Sequence, residues 1–275
     1  MIDLDPYRAS FGLTEDGEAF TTPSSVLQPV RLAGRPAFLK VATVAEEAAG
    51  GRVMRWWAGR GAAAVLAVDG DALVLARATG LRELAGLSRS GAEGDDEATR
   101  ILCRAARRLH AVTDRPLPEG LVTLPIWFRD LFDRAREHPD ARGGILKRAA
   151  AIAVALLADP VDEVVLHGDL HHGNVLDFGR DGWLAIDPKH LIGDSGFDYA
   201  NILCNPSASL ALAPGRLKRQ VEVIADSTGI DPHRMLRWTV AWGALSSCWG
   251  PSASPSDPAS DSPSLRIARL AERLL

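Results

Sequence analysis

Cysteine is scarce in this chain. Cys103, Cys204 and Cys248 lie far apart, their number is odd, and no Cys-x-x-Cys pair occurs. That excludes a disulfide framework and a cysteine zinc site, and leaves three buried thiols as the expectation. Long apolar runs are also missing. The longest clean one, residues 149–158, is well short of the ~20 residues that cross a bilayer. The first ten residues carry acids and no apolar core, so no secretory signal is expected and a cytoplasmic location is. A basic surplus is absent too. The 31 basic and 35 acidic residues give a net charge of −4 and a pI near 6.0, which argues against a nucleic-acid partner. Lysine is confined to Lys40, Lys147, Lys189 and Lys218, so each one invites a reason.

What is present suits a folded soluble chain. It has 275 residues, 47% of them hydrophobic and 24% charged. That length fits one large domain or two closely packed ones, with a core of adequate size. Residues from about 18 to 80 read as strand-rich. Stretches 26–32 and 36–41 are β-inclined, with a turn at Gly34-Arg35. A helix is predicted over 44–60, with Val53, Trp56 and Trp57 on one face. Strands 62–68 and 72–76 flank Asp69-Gly70-Asp71, a strong hairpin signal. Residues 80–97 read as a connection. Helices are predicted over 95–112, 124–136 and 144–157, two more within 206–249, and a last one over 265–275. The Ser/Pro/Asp-rich 251–263 reads as a flexible surface loop.

One β-inclined island interrupts the helical half. Val164-Val165-Leu166 leads into His167-Gly168-Asp169-Leu170-His171-His172-Gly173-Asn174. A hairpin follows, with strands Val175 to Phe178 and Trp183 to Ile186, and it runs into Asp187-Pro188. Antiparallel pairing brings Asn174 and Asp187 to the same end of that hairpin. Asp169 sits on the loop leading in. Two carboxylates and an amide thus meet, a hard-oxygen set that suits Mg²⁺. Residues 161–198 hold eight acids against two bases. Asp177 and Asp181 read equally well as solvated turn charges. Asp169 and Asp187 flank apolar strands, where an acid without a task is costly.

These residues resemble the catalytic loop and metal-binding aspartate of the aminoglycoside phosphotransferases. The run 183–189 and residues 201–206 look most like the branch of streptomycin 6-phosphotransferases and hydroxyurea-type resistance kinases. The resemblance covers nearly the whole chain. It implies an α+β, bilobal protein-kinase-like fold, with a small nucleotide-binding sheet lobe at 1–78 and a larger helical lobe at 79–275. It implies an ATP-dependent phosphotransferase acting on a hydroxyl of an aminoglycoside, foremost streptomycin at its 6-position. Asp169 would orient or accept the proton of the substrate hydroxyl, and Asn174 and Asp187 would hold Mg²⁺. Lys40, inside the apolar strand 37–41, would sit on the nucleotide phosphates; Glu46 and Glu47 follow on the predicted helix, and the resemblance favours Glu47 as its partner. The alternative is a Lys40 that alternates outward on an edge strand. No Gly-x-Gly-x-x-Gly loop occurs, so Ser24 and Ser25 are the candidates to cover the phosphates. Ala76 and Ala78 would present backbone groups to adenine. Asp198 would cap the following helix or hold the catalytic loop through backbone amides. His167 would orient the loop, and His171 and His172 would face substrate or solvent.

The implied acceptor is a small, cationic, hydroxylated molecule, bound by a monomer or weak dimer. A pocket for it calls for acids and aromatics. Asp130, Asp133, Asp162, Glu163 and Asp194 are the available acids, and Trp127, Trp242 and Trp249 are either core or pocket wall. Three other readings stand beside this one. A metabolic kinase for an amino alcohol or sugar would use the same equipment. A metal-dependent hydrolase could use His167, Asp169, His171 and His172 as ligands. A non-catalytic protein could sequester a drug.

Overall fold

A computed structural model describes residues 2–249 and 261–275. The first part of the chain builds an antiparallel sheet from β1 (Leu13–Glu15), β2 (Phe20–Thr21), β3 (Ser25–Leu32), β4 (Arg35–Ala42), β5 (Val65–Asp69) and β6 (Ala72–Ala76). Their order is β1-β3-β4-β6-β5, with β2 also on β3. Helix α1 (Asp5–Phe11) precedes the sheet and α2 (Ala45–Trp57) follows β4. The β3–β4 turn is Ala33-Gly34, both at positive φ (48° and 79°), one residue earlier than the sequence suggested. Two left-handed residues in a two-residue loop match the twist of the flanking strands.

Alternation along β4 sorts its side chains onto two faces. Ala37, Leu39 and Val41 are buried with Val26, Val30, Ala72 and Val74, and Tyr7 and Phe11 of α1 pack against them. Phe38, Lys40 and Ala42 take the opposite face. Since β4 lies between β3 and β6, Lys40 is not on an edge strand. The apolar face of α2 turns away from the sheet's core: Val53, Met54 and Trp57 belong to the large core of the helical part.

The rest of the chain is mainly helical. It contains α3 (Leu84–Arg89), α4 (Ala92–His110), β7 (Val122–Thr123), α5 (Leu124–Trp127), α6 (Arg129–Glu137) and α7 (Ile145–Ala158). After these come β8 (Glu163–Leu166), β9 (Val175–Asp177), β10 (Trp183–Ala185), β11 (Leu191–Asp194) and α8 (Gly196–Leu203). The remaining helices are α9 (Ala208–Ala211), α10 (Arg216–Thr228), α11 (Pro232–Ser246) and α12 (Pro263–Glu272). Helix α11 packs against α7, α8 and α12 and is buried over most of its length.

The α+β arrangement matches the expectation, with local differences. The connection expected over 80–97 contains α3 and the first turn of α4, and the helix expected over 124–136 breaks into α5 and α6 around Phe128. The strand expected from residue 62 starts at Val65, while Ala62 bridges to Ala185 instead. Residues 251–260, most of the expected surface loop, lie outside the described residues. Cys103 is buried, but Cys204 and Cys248 are only partly so. No helix among the described residues is long and apolar enough to cross a membrane.

Candidate active site

Two small β-units assemble the loops. In the β9–β10 hairpin Val175 faces Ala185, so Asn174 and Ile186 emerge side by side, and the Ile186 N–H donates to the Asn174 carbonyl at 2.9 Å. In the other unit β11 pairs antiparallel with β8, with Leu191 opposite Leu166. The loop entering after β8 therefore lies against the loop leaving for β11. The Lys189 N–H donates to the His167 carbonyl at 2.7 Å. His167 is buried and crosses the same gap. Its Nδ1 accepts the Asp169 N–H at 3.2 Å and its Nε2 donates to the Ile186 carbonyl at 2.8 Å. Burial drives its pKa down against the pull of Asp198 and Asp169, so the neutral ring is the form that fits this bonding. The Trp57 indole at the end of α2 stacks on the ring at a centroid distance of 6.3 Å.

Asp198, in the first turn of α8, holds the same loop. Its carboxylate accepts the N–H groups of His167 (2.8 Å) and Gly168 (2.7 Å) and the Nε2–H of His110 (2.8 Å). It does not cap its helix; the residue at that position is Ser195. Burial works to raise its pKa, but His110 and the loop donors outweigh that and hold it low.

Asp169 takes two amide donors. Asn201 Nδ2 donates to Oδ1 at 2.9 Å, and Asn174 Nδ2 donates to the main-chain carbonyl at 2.9 Å, with a longer approach to Oδ2 at 3.4 Å. Asn205 Nδ2 in turn donates to Asn201 Oδ1 and O at 2.9 Å each. Asn174 spends its N–H groups on Asp169, which leaves its amide oxygen as an acceptor.

Asp187 sits at φ +60°, a conformation non-glycine residues rarely hold and which clusters at functional sites. Its carboxylate is partly exposed and takes Lys40 Nζ at 2.5 Å. Burial works to raise its pKa, but the Lys40 ammonium outweighs that and keeps it ionised. Lys40 also pairs with Glu47, whose other oxygen accepts the Ser24 hydroxyl at 2.7 Å. So Lys40, Glu47, Asp187 and Ser24 meet in one cluster across β4, α2 and the loop after β10.

Ser25 is opposite Ala42 and shares the Lys40 face. Its N–H is taken by Thr22 Oγ1, but its hydroxyl is buried without a partner among the described residues. Ala76 faces Ala37 in β4, about 10 Å along the strand from the Lys40–Leu73 pair. Its N–H is taken by the Ala64 carbonyl, and Ala78 follows two residues on.

A cavity of about 390 Å³ opens beside Asp169 and is walled by Glu46, Lys189, Trp127, Trp242 and Trp249. Trp127 and Trp249 meet edge to face at 5.6 Å. All three tryptophans are thus pocket wall rather than core alone. Asp130 lines the adjoining hollow. The other candidate acids lie elsewhere. Asp133 pairs with Arg136, Asp162 accepts the Ser195 hydroxyl, and Asp194 is buried on Arg234 and the N–H groups of Val161 and Gly196. Glu163 is exposed on β8 in register with Asp194.

Two further readings need correction. Asp177 is no solvated turn charge. It is buried, Arg82 clamps it through two nitrogens at 2.8 Å, and the Arg82 guanidinium lies over Trp183. His172 faces neither substrate nor solvent. It is buried near Arg216 and Asp95, and burial first, then Arg216, pushes its pKa down to about 3. With His167 engaged through both ring nitrogens and His172 turned inward, the His/Asp set does not converge. Among the described residues no three His, Cys, Asp or Glu gather as a metal site. The hydrolase reading therefore loses its ligands.

Sequence reasoning missed Asn201, His110 and Phe38, and it offered Glu46 only as an alternative partner for Lys40, where the structure pairs it with Lys189. Asn201 had a signal, since it follows Asp198 by three residues on one helix face. Phe38 had one too, because alternation puts it on the Lys40 face. The pairing of His110 with residue 198 carried none.

The profile of the family described as aminoglycoside/hydroxyurea antibiotic resistance kinase matches residues 11–253. A streptomycin 3''-kinase from Klebsiella pneumoniae is 49% identical over 242 residues, covering 86% of this chain and 88% of that protein. A streptomycin 6-kinase from Streptomyces griseus is 33% identical over 86% of this chain and 78% of its own. Among solved structures, aminoglycoside phosphotransferase APH(3'')-Id from Streptomyces rimosus, in complex with ADP and streptomycin, superposes with a TM-score of 0.59 at 20% identity, over 91% of this chain and all of that one. A choline/ethanolamine kinase family protein from Mesorhizobium loti reaches 0.65 at 16% identity, over 98% and 94% of the two chains. These last two show that the fold is kinase-like. The chain belongs to the aminoglycoside/hydroxyurea antibiotic resistance kinase family.

Proposed function

We propose that the chain is an ATP-dependent O-phosphotransferase that phosphorylates a hydroxyl of streptomycin and so inactivates the drug. The observation that carries this reading is the meeting of Asp169, Asn174 and Asp187 with the Lys40–Glu47 pair beside an aromatic, acid-bearing cavity. Identity of 49% to a 3''-kinase, against 33% to a 6-kinase, favours the 3''-hydroxyl over the 6-position expected from the sequence. The reading divides the chain into a nucleotide lobe at 1–78 and an acceptor lobe at 79–275, working as a monomer or weak dimer in the cytoplasm, where ATP is held.

Asp169 is the group that takes the acceptor hydroxyl, with Asn201 and Asn174 fixing its angle. Lys40 neutralises nucleotide phosphates and Glu47 steers it there. Phe38 and Leu75 offer adenine an apolar floor, while the Ala76 carbonyl and the Ala78 amide offer its edge hydrogen bonds. In place of a glycine-rich loop, Ser25 has an unpartnered hydroxyl, and Ser24 would serve the phosphates by turning its hydroxyl away from Glu47. Hard oxygens at Asn174 and Asp187 fit Mg²⁺, which when bound neutralises charge on the phosphate oxygens. Trp127 and Trp249 suit guanidinium groups through their faces, and Glu46 through its charge.

ADP release with Mg-ATP and streptomycin tests the reading, with NMR of the product to find the phosphate. Streptomycin-dependent release and a 3''-phosphate are expected. A 6-phosphate would overturn the position alone. Release only with another hydroxylated amine would keep the kinase and discard the drug.

A further inference from the structure

The acceptor cavity contains a residue that its proposed ligand should not want. Lys189 is the only cation among the described residues walling the cavity that holds Asp169, and a cationic acceptor would be repelled by it. Yet the fold brings this lysine close on purpose. Its backbone is pinned by the 2.7 Å bond to the His167 carbonyl. Gly168 makes room for it: φ there is +80°, and a Cβ would stand 2.7 Å from Lys189 Cβ. The side chain is partly exposed, and Glu46 holds its ammonium at 3.1 Å. In sequence it stands two residues past Asp187, and in space it shares a wall with Asp169. That is the ground between the nucleotide and the acceptor hydroxyl.

An ammonium there has one partner that makes sense of the acids around it, the phosphoryl group in flight. We propose that Lys189 is a catalytic residue that hydrogen-bonds the non-bridging oxygens of the transferring phosphoryl group from the acceptor side, opposite Lys40 on the nucleotide side. The inference rests on the kinase reading above. The acceptor oxygen bonds to the γ-phosphorus as the bond from that phosphorus to the β–γ bridging oxygen breaks. The hydroxyl proton goes to Asp169. Lys189 stays protonated throughout and gives only charge and donors, which count most where charge is spread over the equatorial oxygens.

The test is steady-state kinetics of Lys189→Ala, Lys189→Met and Lys189→Arg, with ATP affinity measured by direct titration. Expected is a fall in kcat of roughly a hundredfold for Ala and Met alike. Arg should restore most of it, and KM for ATP and ATP affinity should change by less than about threefold. A Met variant with wild-type kcat would overturn the proposal, because its stem packs as lysine does without the charge. So would weakened ATP affinity with kcat retained, the mark of a lysine that only braces α2 through Glu46. If the wild type leaves streptomycin untouched, the function reading falls and acceptor-independent ATP hydrolysis judges Lys189 instead. Hydrolysis as fast in Lys189→Ala as in wild type would then overturn it.

Discussion

Two groups of carboxylates in the helical part are built differently. Asp95 on α4 is fully satisfied. Its Oδ2 accepts Arg216 Nε (2.8 Å), Arg219 Nη2 (2.9 Å) and Gln220 Nε2 (2.7 Å), and its Oδ1 accepts Arg216 Nη2 (2.9 Å). Asp95 and Arg216 are both buried. Asp169 and Asp187 are the reverse. Asp169 has one close donor on Oδ1 and only a 3.4 Å approach on Oδ2, and Asp187 leans on Lys40 while remaining partly exposed. The difference teaches that acids alone do not mark a site. A buried carboxylate gripped by four donors is a fastener, and a partly exposed one with fewer donors has capacity left for a ligand.

Breaking the fastener should have the largest effect. Asp95→Ala strands Arg216 in the interior and is expected to cost about 3–5 kcal/mol of stability. Urea melts would show this, while the surviving folded fraction keeps its turnover number; a loss under 1 kcal/mol would put Asp95 in the same class as a surface acid. Asp169→Asn should do the opposite, keeping the melting curve and lowering turnover by about a hundredfold or more. Retention of most activity would remove Asp169 from its role. One step back from the chemistry, Asn201→Ala frees Asp169 Oδ1 and should lower kcat about tenfold with little change in KM for ATP. The finest probe is pH. His172 beside the fastener titrates near 3 when folded, against about 6.5 when unfolded. Between those values the unfolded chain binds the extra proton, so stability falls as pH drops from about 6.5 toward 3. His172→Gln should flatten that slope by about 1.4 kcal/mol per pH unit, read from denaturation midpoints at several pH values. An unchanged slope would mean that the ring is not neutral and enclosed.

The parts of the site that were legible in the sequence are those set by short-range geometry. A hairpin fixes where Asn174 and Asp187 emerge, alternation fixes the face of Lys40, and one helical turn puts Glu47 within reach. What the sequence hid depends on distant partners. Asp177 looked like a turn acid because nothing local announces Arg82. Helix α3 hid in a stretch whose glycines and charges read as a connection. The Asp194 carboxylate, taken for pocket lining, is engaged by Arg234 from α11. His172 looked accessible because its neighbours in the chain are, yet it is buried near Asp95 of α4 and Arg216 of α10.

The allegiance of α2 has a consequence for how the molecule can be taken apart. By chain order it belongs with the sheet, yet its apolar stripe is buried in the helical core and its last indole lies on His167. Gly50 sits so close to the loop after β10 that a Cβ would stand 2.3 Å from the Pro188 carbonyl oxygen. A cut near residue 78 would therefore not separate two self-sufficient bodies. It would leave one fragment with a greasy, unpaired helix and the other with a cleft where Trp57 belonged. The two halves are joined as a key is to its lock, and either one alone would be insoluble before it was inactive.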